Sequence, residues 1–303
     1  MEKLFEIENG NVLVSLYEDG TRVVETLDPS DDFLDLDLPL SLDINISNKC
    51  SNNCEYCYAG NTPFGRMADL LKMDYLNGIE GIEIAINIQY PLPENFEFWL
   101  CKMRDQNIIV SGTISQIDLE RSRDIVTYLK KLQDERLLNG IGISYRSYNP
   151  ELEDLLYHNL NNVVFHTIVG VTAPAVITRL LNRGFKVLIL GYKQKERGID
   201  YFAKADIGIW YQSIDDILRF KHKAVLSFDT SAINQLKLKD KLTEKEWDRF
   251  YQGDEGSISF YIDAVNNTFN IDSHTTIEPI KIGKKKLKVM FKDIKKKVRI
   301  NEE

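Results

Sequence analysis

An α/β fold built on a parallel sheet is predicted by three observations. Strand-like apolar runs alternate with helix-like segments through the middle of the chain, the pattern of repeated strand–helix–strand crossovers. The chain has 303 residues, 43% hydrophobic and 28% charged, which is enough apolar material for one large core and excludes collagen-like, mucin-like or broadly disordered readings. Residues before about 41 and after about 225 break the alternation and read as appendages. A closed eight-strand barrel and an open or partial one both satisfy this pattern.

Residues 1–40 read as a β-meander followed by a linker. Phe5–Ile7, Val12–Leu16 and Arg22–Val24 are strand-like, and Asn9-Gly10 and Asp19-Gly20 are good hairpin dipeptides. Residues 27–39 are acidic and turn-rich. The repeat occupies residues 41–225. Its strand-like runs are Leu42–Ile46, Ile82–Ile86, Ile108–Val110, Ile141–Tyr145, Val163–His166 and Val187–Leu190. Helices are expected over 66–76, 94–105, 117–135, 149–158 and 173–183, the third capped by Ser115 or Asp118. Ile207–Trp210 and Val225–Phe228 offer a seventh and eighth strand. Residues 226–303 read as an α+β appendage. Thr243 and Glu246 form a capping box, Gly253–Gly256 a turn, and Ser259–Ile262 and Thr268–Ile271 a hairpin across Asn266-Asn267.

The net charge is −8, yet residues 281–303 hold nine lysines and Arg299 against three acidic residues. The rest of the chain is therefore strongly acidic, unlike a general duplex-DNA binder. The basic end suits an exposed edge strand or short helix, or a contact with nucleic acid, an acidic partner or the chain's own acidic body. No basic-then-apolar leader and no run of about 20 apolar residues occurs, so a cytoplasmic protein without membrane association is expected.

Only four cysteines are present, and three are crowded into Cys50-Ser51-Asn52-Asn53-Cys54-Glu55-Tyr56-Cys57. This is not a secreted disulfide framework. The loop follows the first strand of the repeat, where parallel α/β folds place their functional face. Three thiolates can wrap one side of a metal centre. Zinc in a closed structural site needs a fourth protein ligand, for which Cys101, His158, His166, His222 and His274 are the distant candidates. A cubane iron–sulfur cluster on three thiolates leaves one iron open.

The C-x3-C-x2-C spacing, with an aromatic residue before the third cysteine, resembles the signature of the radical S-adenosylmethionine superfamily. Scattered segments around Leu188–Lys193, Glu196–Gly198, Ser227–Asp229 and Tyr251–Gly256 resemble a poorly characterised bacterial and phage group within it. The resemblance implies a partial (β/α)6-type barrel. It implies a [4Fe–4S] cluster on Cys50, Cys54 and Cys57, with S-adenosylmethionine on the open iron. It further implies reductive cleavage to a 5′-deoxyadenosyl radical that abstracts hydrogen from a substrate the sequence does not identify, a peptide or a nucleotide or nucleic acid. An external one-electron reductant of the flavodoxin or ferredoxin type follows as partner. Tyr56 would pack near adenine. Relatives carry a Gly-Gly-Glu-Pro-like motif after the second strand, and here Gln89-Tyr90-Pro91-Leu92 stands there without the glycines. That departure keeps open a degenerate iron–sulfur or zinc-binding interaction protein. No cysteine follows Cys101, so no second all-cysteine cluster can form.

The remaining cofactor-side candidates sit at later strand ends: Ser115 after strand three, Ser144 and Arg146 after strand four, His166 on strand five and Gly191 after strand six. Arg146 suits bidentate pairing with a carboxylate or simple surface charge, and Ser115 suits cofactor contact or a helix cap. His166 suits cofactor or substrate contact or a purely structural role. Gly191 would admit adenine or mark a bend. Asp229 and Gln235 are candidates on the substrate side, and Cys101 reads as a buried inert thiol.

Overall fold

The computed structural model describes residues 2–18, 21–31, 33–219, 224–251, 253 and 255–302. Asp19-Gly20, His222 and Asp254 lie outside the described residues. Strands β1 (Lys3–Asn9), β2 (Val12–Tyr17) and β3 (Arg22–Thr26) form the expected antiparallel meander as a separate sheet. The main sheet then adds β4 (Ser41–Asn45), β5 (Glu83–Ile88), β6 (Ile109–Ser115), β7 (Ile141–Ser144), β8 (Val163–Ile168), β9 (Lys186–Leu190) and β10 (Leu226–Phe228). All seven are parallel and lie in sequence order.

The crossover helices are α1 (Phe96–Asp105), α2 (Gln116–Arg121), α3 (Asp124–Asp134), α4 (Pro150–Asn159), α5 (Pro174–Asn182), α6 (Arg197–Tyr201) and α7 (Ile207–Arg219). Right-handed crossovers that always step in one direction leave their helices on one face of the sheet. The strands show this directly. Leu42, Ile44, Ile84, Ile86, Val110, Ile114, Phe165, Val187 and Ile189 are buried. The alternate side chains, among them Asp43, Asn45, Asn87, Thr113, Ser115, Ser144 and His166, are half-buried or exposed on the opposite, inner face. The hydrogen-bonded ladder is open, ending at β10 on one side.

The C-terminal segment is not set apart from this sheet. After α8 (Thr230–Gln235) and α9 (Glu244–Phe250), strand β11 (Ser259–Asp263) pairs in parallel with the free edge of β4. Strands β12 (Thr268–Asn270) and β13 (Ile280–Lys281) extend it antiparallel. Helix α10 (Leu287–Glu302) closes the chain.

Four elements differ from the sequence expectation. Residues 66–76 form only two short 3-10 turns, because this stretch returns the cysteine loop to the core through Leu70, Met73, Tyr75 and Leu76. The single helix over 117–135 is broken at Ser122–Arg123 into α2 and α3. Ile207–Trp210 is helix, not strand: Trp210, Ile214 and Ile217 are all buried, a helical period that outweighs the local alternation. The basic end is a long helix rather than an edge strand, with Leu287, Met290, Phe291 and Ile294 buried. Its lysines meet the acidic linker. Lys295 Nζ donates to Asp35 at 3.0 Å and to the Leu36 carbonyl at 2.9 Å, and Lys288 pairs with Asp37 at 2.7 Å.

Candidate functional site

Because the sheet is parallel, the C-terminal ends of its strands lie on one edge, and the cysteine loop leaves β4 there. The loop is tied at its base by bridges between Ser47 and Met67 and between Lys49 and Thr62. Within it, Cys50 N–H donates to the Thr62 carbonyl at 2.9 Å and Cys57 N–H to the Cys54 carbonyl at 3.2 Å. Cys50, Cys54 and Cys57 are free and half-buried. Burial pushes the Cys50 thiol up, partly offset by the Asn52 N–H. Burial likewise raises Cys54, opposed by the Tyr56 hydroxyl and, at longer range, by Arg146 and Arg197.

Three neighbouring elements hold the loop from outside. Arg197, opening α6, donates from Nε to the Cys54 carbonyl at 2.9 Å and from both Nη atoms to the Asn61 carbonyl at 3.2 Å. From α2, Arg121 donates to Asn52 Oδ1 at 2.6 Å, and Asn52 Nδ2 donates to Asp118 at 2.9 Å. From β5, Asn87 takes the Ile46 N–H and donates to the Ser47 carbonyl, both at 2.8 Å. Gln89 completes this buckle. Its amide, oriented to satisfy its neighbours, donates to the Ser47 and Lys49 carbonyls at 3.1 and 2.8 Å and accepts from Asn61 Nδ2 at 2.8 Å.

The remaining candidates divide in two. Tyr56 rests against Cys54 and packs edge-on against Tyr201 at 5.7 Å, so it lies at the thiols. Arg146 is exposed and close enough for its charge to act on Cys54 and Tyr56. Ser144 opens onto the inner face, directly beside His166 in the β7–β8 register. The His166 ring occupies the space that a Cβ on Gly142 would need, and burial lowers its pKa to about 4, so it is neutral. Ser115 caps α2 by accepting the Ile117 N–H at 3.2 Å, while also ending β6 beside Ser144.

The other group spends its polar atoms on the protein. Gln89 does so as described. Tyr90 is the exception: its ring packs against the core, and its hydroxyl, raised to about 12 by burial and Asp118, meets no hydrogen-bond partner among the described residues. Gly191 N–H donates to Asp229 at 2.8 Å, and a Cβ there would fall 2.5 Å from Ser231 Cβ. Its bare backbone thus accommodates the start of α8. Asp229 caps that helix, and Gln235 bonds both backbone groups of Tyr192. Cys101 sits on α1 against the core.

A second polar group lies on the same edge; the sequence offered Lys193 at the end of strand six as a contact or a solvated charge, but not its partners Asp43, Tyr58 and Ser273. Lys193, just past β9, lies over the Tyr58 ring at 4.7 Å and donates to Ser273 Oγ at 3.4 Å. Burial works against its ammonium, but Tyr58, Asp229, Glu255 and Asp43 outweigh it and raise its pKa. Asp43, deep in the fold yet open to the inner face, is pushed up to about 6 by burial, against the pull of Lys193. Asp43 is an acid inside an apolar strand, and that was the available sequence signal. Segment 271–275 faces this group across the open sheet: Ser231 Oγ and His274 Nε2 are 3.0 Å apart, and Lys195 Nζ donates to the Ser273 carbonyl at 3.3 Å.

Among the described residues, one set of three Cys, His, Asp or Glu ligand atoms lies within 4.8 Å of one another: Glu255, Asp272 and His274. The three thiols are therefore not gathered on one point. Thiolates sharing one zinc stand about 3.8 Å apart, whereas thiolates on separate irons of a cluster are spread more widely. The chemistry of the donor set, three free thiols on one loop, is that of a cluster held by three protein ligands with one iron open.

No family model and no curated protein matches the sequence. Among solved structures, the chain is similar to anSMEcpe with bound AdoMet and a Kp18Cys peptide, with a TM-score of 0.48 and 13% identity over 85% of this chain and 82% of that one. A likeness of that degree carries no argument about chemistry. The fold is a mixed α/β architecture with a large parallel sheet. Among the described residues, no helix is long and apolar enough to cross a membrane.

Proposed function

We propose that this chain is a radical S-adenosylmethionine enzyme. One observation carries the reading: three free, half-buried cysteines in C-x3-C-x2-C spacing share one braced loop at the C-terminal edge of the first strand of a sequentially ordered parallel sheet. Cys50, Cys54 and Cys57 would hold the [4Fe–4S] cluster. With S-adenosylmethionine bound, that group supplies one-electron reductive cleavage of the sulfonium and a 5′-deoxyadenosyl radical for hydrogen abstraction.

The chain's own residues bind and orient. Arg197, Asn87 and Gln89 fix the backbone that carries the thiols. Arg146 brings a cation to the thiol side, suited to a carboxylate. Tyr56, Ser115, Ser144 and neutral His166 offer an aromatic face and uncharged hydrogen-bonding groups along the inner face. Gln89 and Gly191 act one step back, by holding the loop and the start of α8. The reductant is an external one-electron donor of flavodoxin or ferredoxin type, and the substrate is a peptide or a nucleotide or nucleic acid.

Anaerobic purification with iron and sulfide counting, followed by a dithionite assay for 5′-deoxyadenosine, tests the reading. Four irons per chain and deoxyadenosine formation are expected of such a cluster. A colourless protein with stoichiometric zinc overturns it. The rival reading, a cluster-bearing protein without turnover, is favoured by the stretch Gln89-Tyr90-Pro91-Leu92, which lacks the glycines that the resemblance leads one to expect there. A loaded protein that never forms deoxyadenosine decides for that rival.

A further inference from the structure

We propose that Glu255, Asp272 and His274 form a second metal site, for a divalent cation bound through nitrogen and oxygen, separate from the cysteine loop. Their ligand atoms lie within 4.8 Å of one another, and all three residues are half-buried rather than on the open surface. They come from two segments, the turn before β11 and the loop after β12, which the antiparallel β11–β12 pairing brings to the same end of the hairpin.

The imidazole is oriented for this role. His274 Nε2 is 3.0 Å from Ser231 Oγ, which fixes the ring from its far side. That leaves Nδ1 turned toward Asp272, 3.0 Å from Oδ1. Nδ1 is buried and, among the described residues, its only close neighbour is this carboxylate oxygen, met without hydrogen-bond geometry, so the two atoms stand side by side as two ligands of one ion do. Metal-bound imidazoles take this arrangement: one nitrogen on the ion, the other held by a polar neighbour. Asp272 is equally fixed. Its Oδ1 accepts the N–H groups of His274 and Thr275 at 2.6 and 2.5 Å, leaving Oδ2 for the ion. The nearby Lys193 is engaged with Tyr58 and Ser273; among the described contacts it makes no close ion pair with the two carboxylates, and its charge acts on Glu255 at longer range.

One imidazole and two carboxylates suit Mn(II), Fe(II), Co(II) or Zn(II) rather than a thiolate-selecting ion. Three protein donors leave positions open, as catalytic sites do, for an oxygen ligand. Through Ser273 and Tyr58 the site adjoins the cysteine loop, so an anionic oxygen of a substrate held on this ion would face the inner side of the sheet. The site itself stands whether or not the cysteine loop holds a cluster.

The test is Co(II) binding to the full chain, stripped of metal with a chelator, in the wild type and in a Cys50→Ser, Cys54→Ser, Cys57→Ser variant. Cobalt on thiolates gives an intense near-ultraviolet charge-transfer band, and cobalt on nitrogen and oxygen gives weak visible bands only. One Co(II) per chain with weak visible bands is expected in the triple variant. Glu255→Gln and His274→Ala should abolish it, and Ser231→Ala should weaken it roughly tenfold, the cost of losing an outer partner. Asp272→Asn, which keeps the side-chain oxygen that caps the turn but replaces the one left for the ion, should abolish it too, with far-ultraviolet circular dichroism showing the fold retained. No cobalt in the triple variant, or binding indifferent to Glu255→Gln and His274→Ala, overturns the proposal. Loss of iron in Cys54→Ala with retained weak-band cobalt separates the two sites.

Discussion

Arg197 is the residue on which the cysteine loop leans most. Replacing it with methionine keeps the stem and removes the fork. Two backbone carbonyls, of Cys54 and Asn61, then lose a charged donor at 2.9 and 3.2 Å. A hydrogen bond from a charged group contributes about 1.5–3 kcal/mol, and Arg197 is only half-buried, so the low end applies and the two together contribute about 3 kcal/mol. The loss stays local, because Cys50 N–H on the Thr62 carbonyl and the Asn87 contacts still anchor the base of the loop. By the usual conversion, about 3 kcal/mol is roughly a hundredfold in the opening equilibrium. Hydrogen exchange measured by mass spectrometry on the metal-free protein should show that increase across residues 54–61, with none in β1–β3. Arg197→Lys should fall between, since one ammonium cannot span both carbonyls. Iron retained on reconstitution should drop in the same order. Exchange over 54–61 within threefold of wild type in Arg197→Met would refute the bracing role.

Acid should destabilise the protein through His166. The unfolded ring takes a proton near pH 6.5 while the native ring resists until about 4, so stability is full above 6.5 and falls as pH drops toward 4. Because the ring borders the open inner face, about 1 kcal/mol between pH 7 and 5 is expected, and urea titrations of His166→Asn should lack that part of the slope. Glu153, fully buried, accepts from the Tyr145 hydroxyl at 2.6 Å and pairs with Arg179 and Arg183. Glu153→Gln should cost about 2–3 kcal/mol, read as a fall of several degrees in thermal midpoint. Glu196 has φ 49° and ψ −129° at the turn closed by Gly198 N–H on the Lys195 carbonyl. This is the glycine position of a type II′ turn, so Glu196→Gly should raise the midpoint by the equivalent of about 1 kcal/mol, and a lowered midpoint would contradict the strain.

The strands β4 to β9 were legible because each is a short apolar run bounded by turn residues, and their order follows from short right-handed crossovers. What escaped were consequences of contacts distant in sequence. Ile207–Trp210 alternates like a strand over four residues, and only Ile214 and Ile217, further on, reveal the helix. The lysines of α10 mask its apolar stripe, from which Phe291 stacks on Phe260 of β11. Strand β11 itself reads as half of a hairpin, yet it also pairs with β4, more than two hundred residues earlier. At the site, the spacing of the cysteines named the thiols outright. The side chains that brace them could not be named, since nothing local marks Arg197 as the partner of the Cys54 and Asn61 carbonyls.

Gln89 shows why such a bracing role matters to the functional reading. By sequence it is a defect, a long polar side chain where a bare backbone is expected. In the fold it makes three hydrogen bonds that tie β5 to both strands of the cysteine loop, at Ser47, Lys49 and Asn61. Three separate elements thus hold the loop, from α2, β5 and α6. Arg197 and Gln89 meet at Asn61, one on its carbonyl and the other on its side-chain amide, so a single residue couples two of the three braces. Asn61→Ala removes the Gln89 contact but leaves the carbonyl for Arg197. It should therefore loosen the loop less than Arg197→Met does in the same exchange measurement, and an equal or larger effect would move the main support of the thiols from α6 to β5.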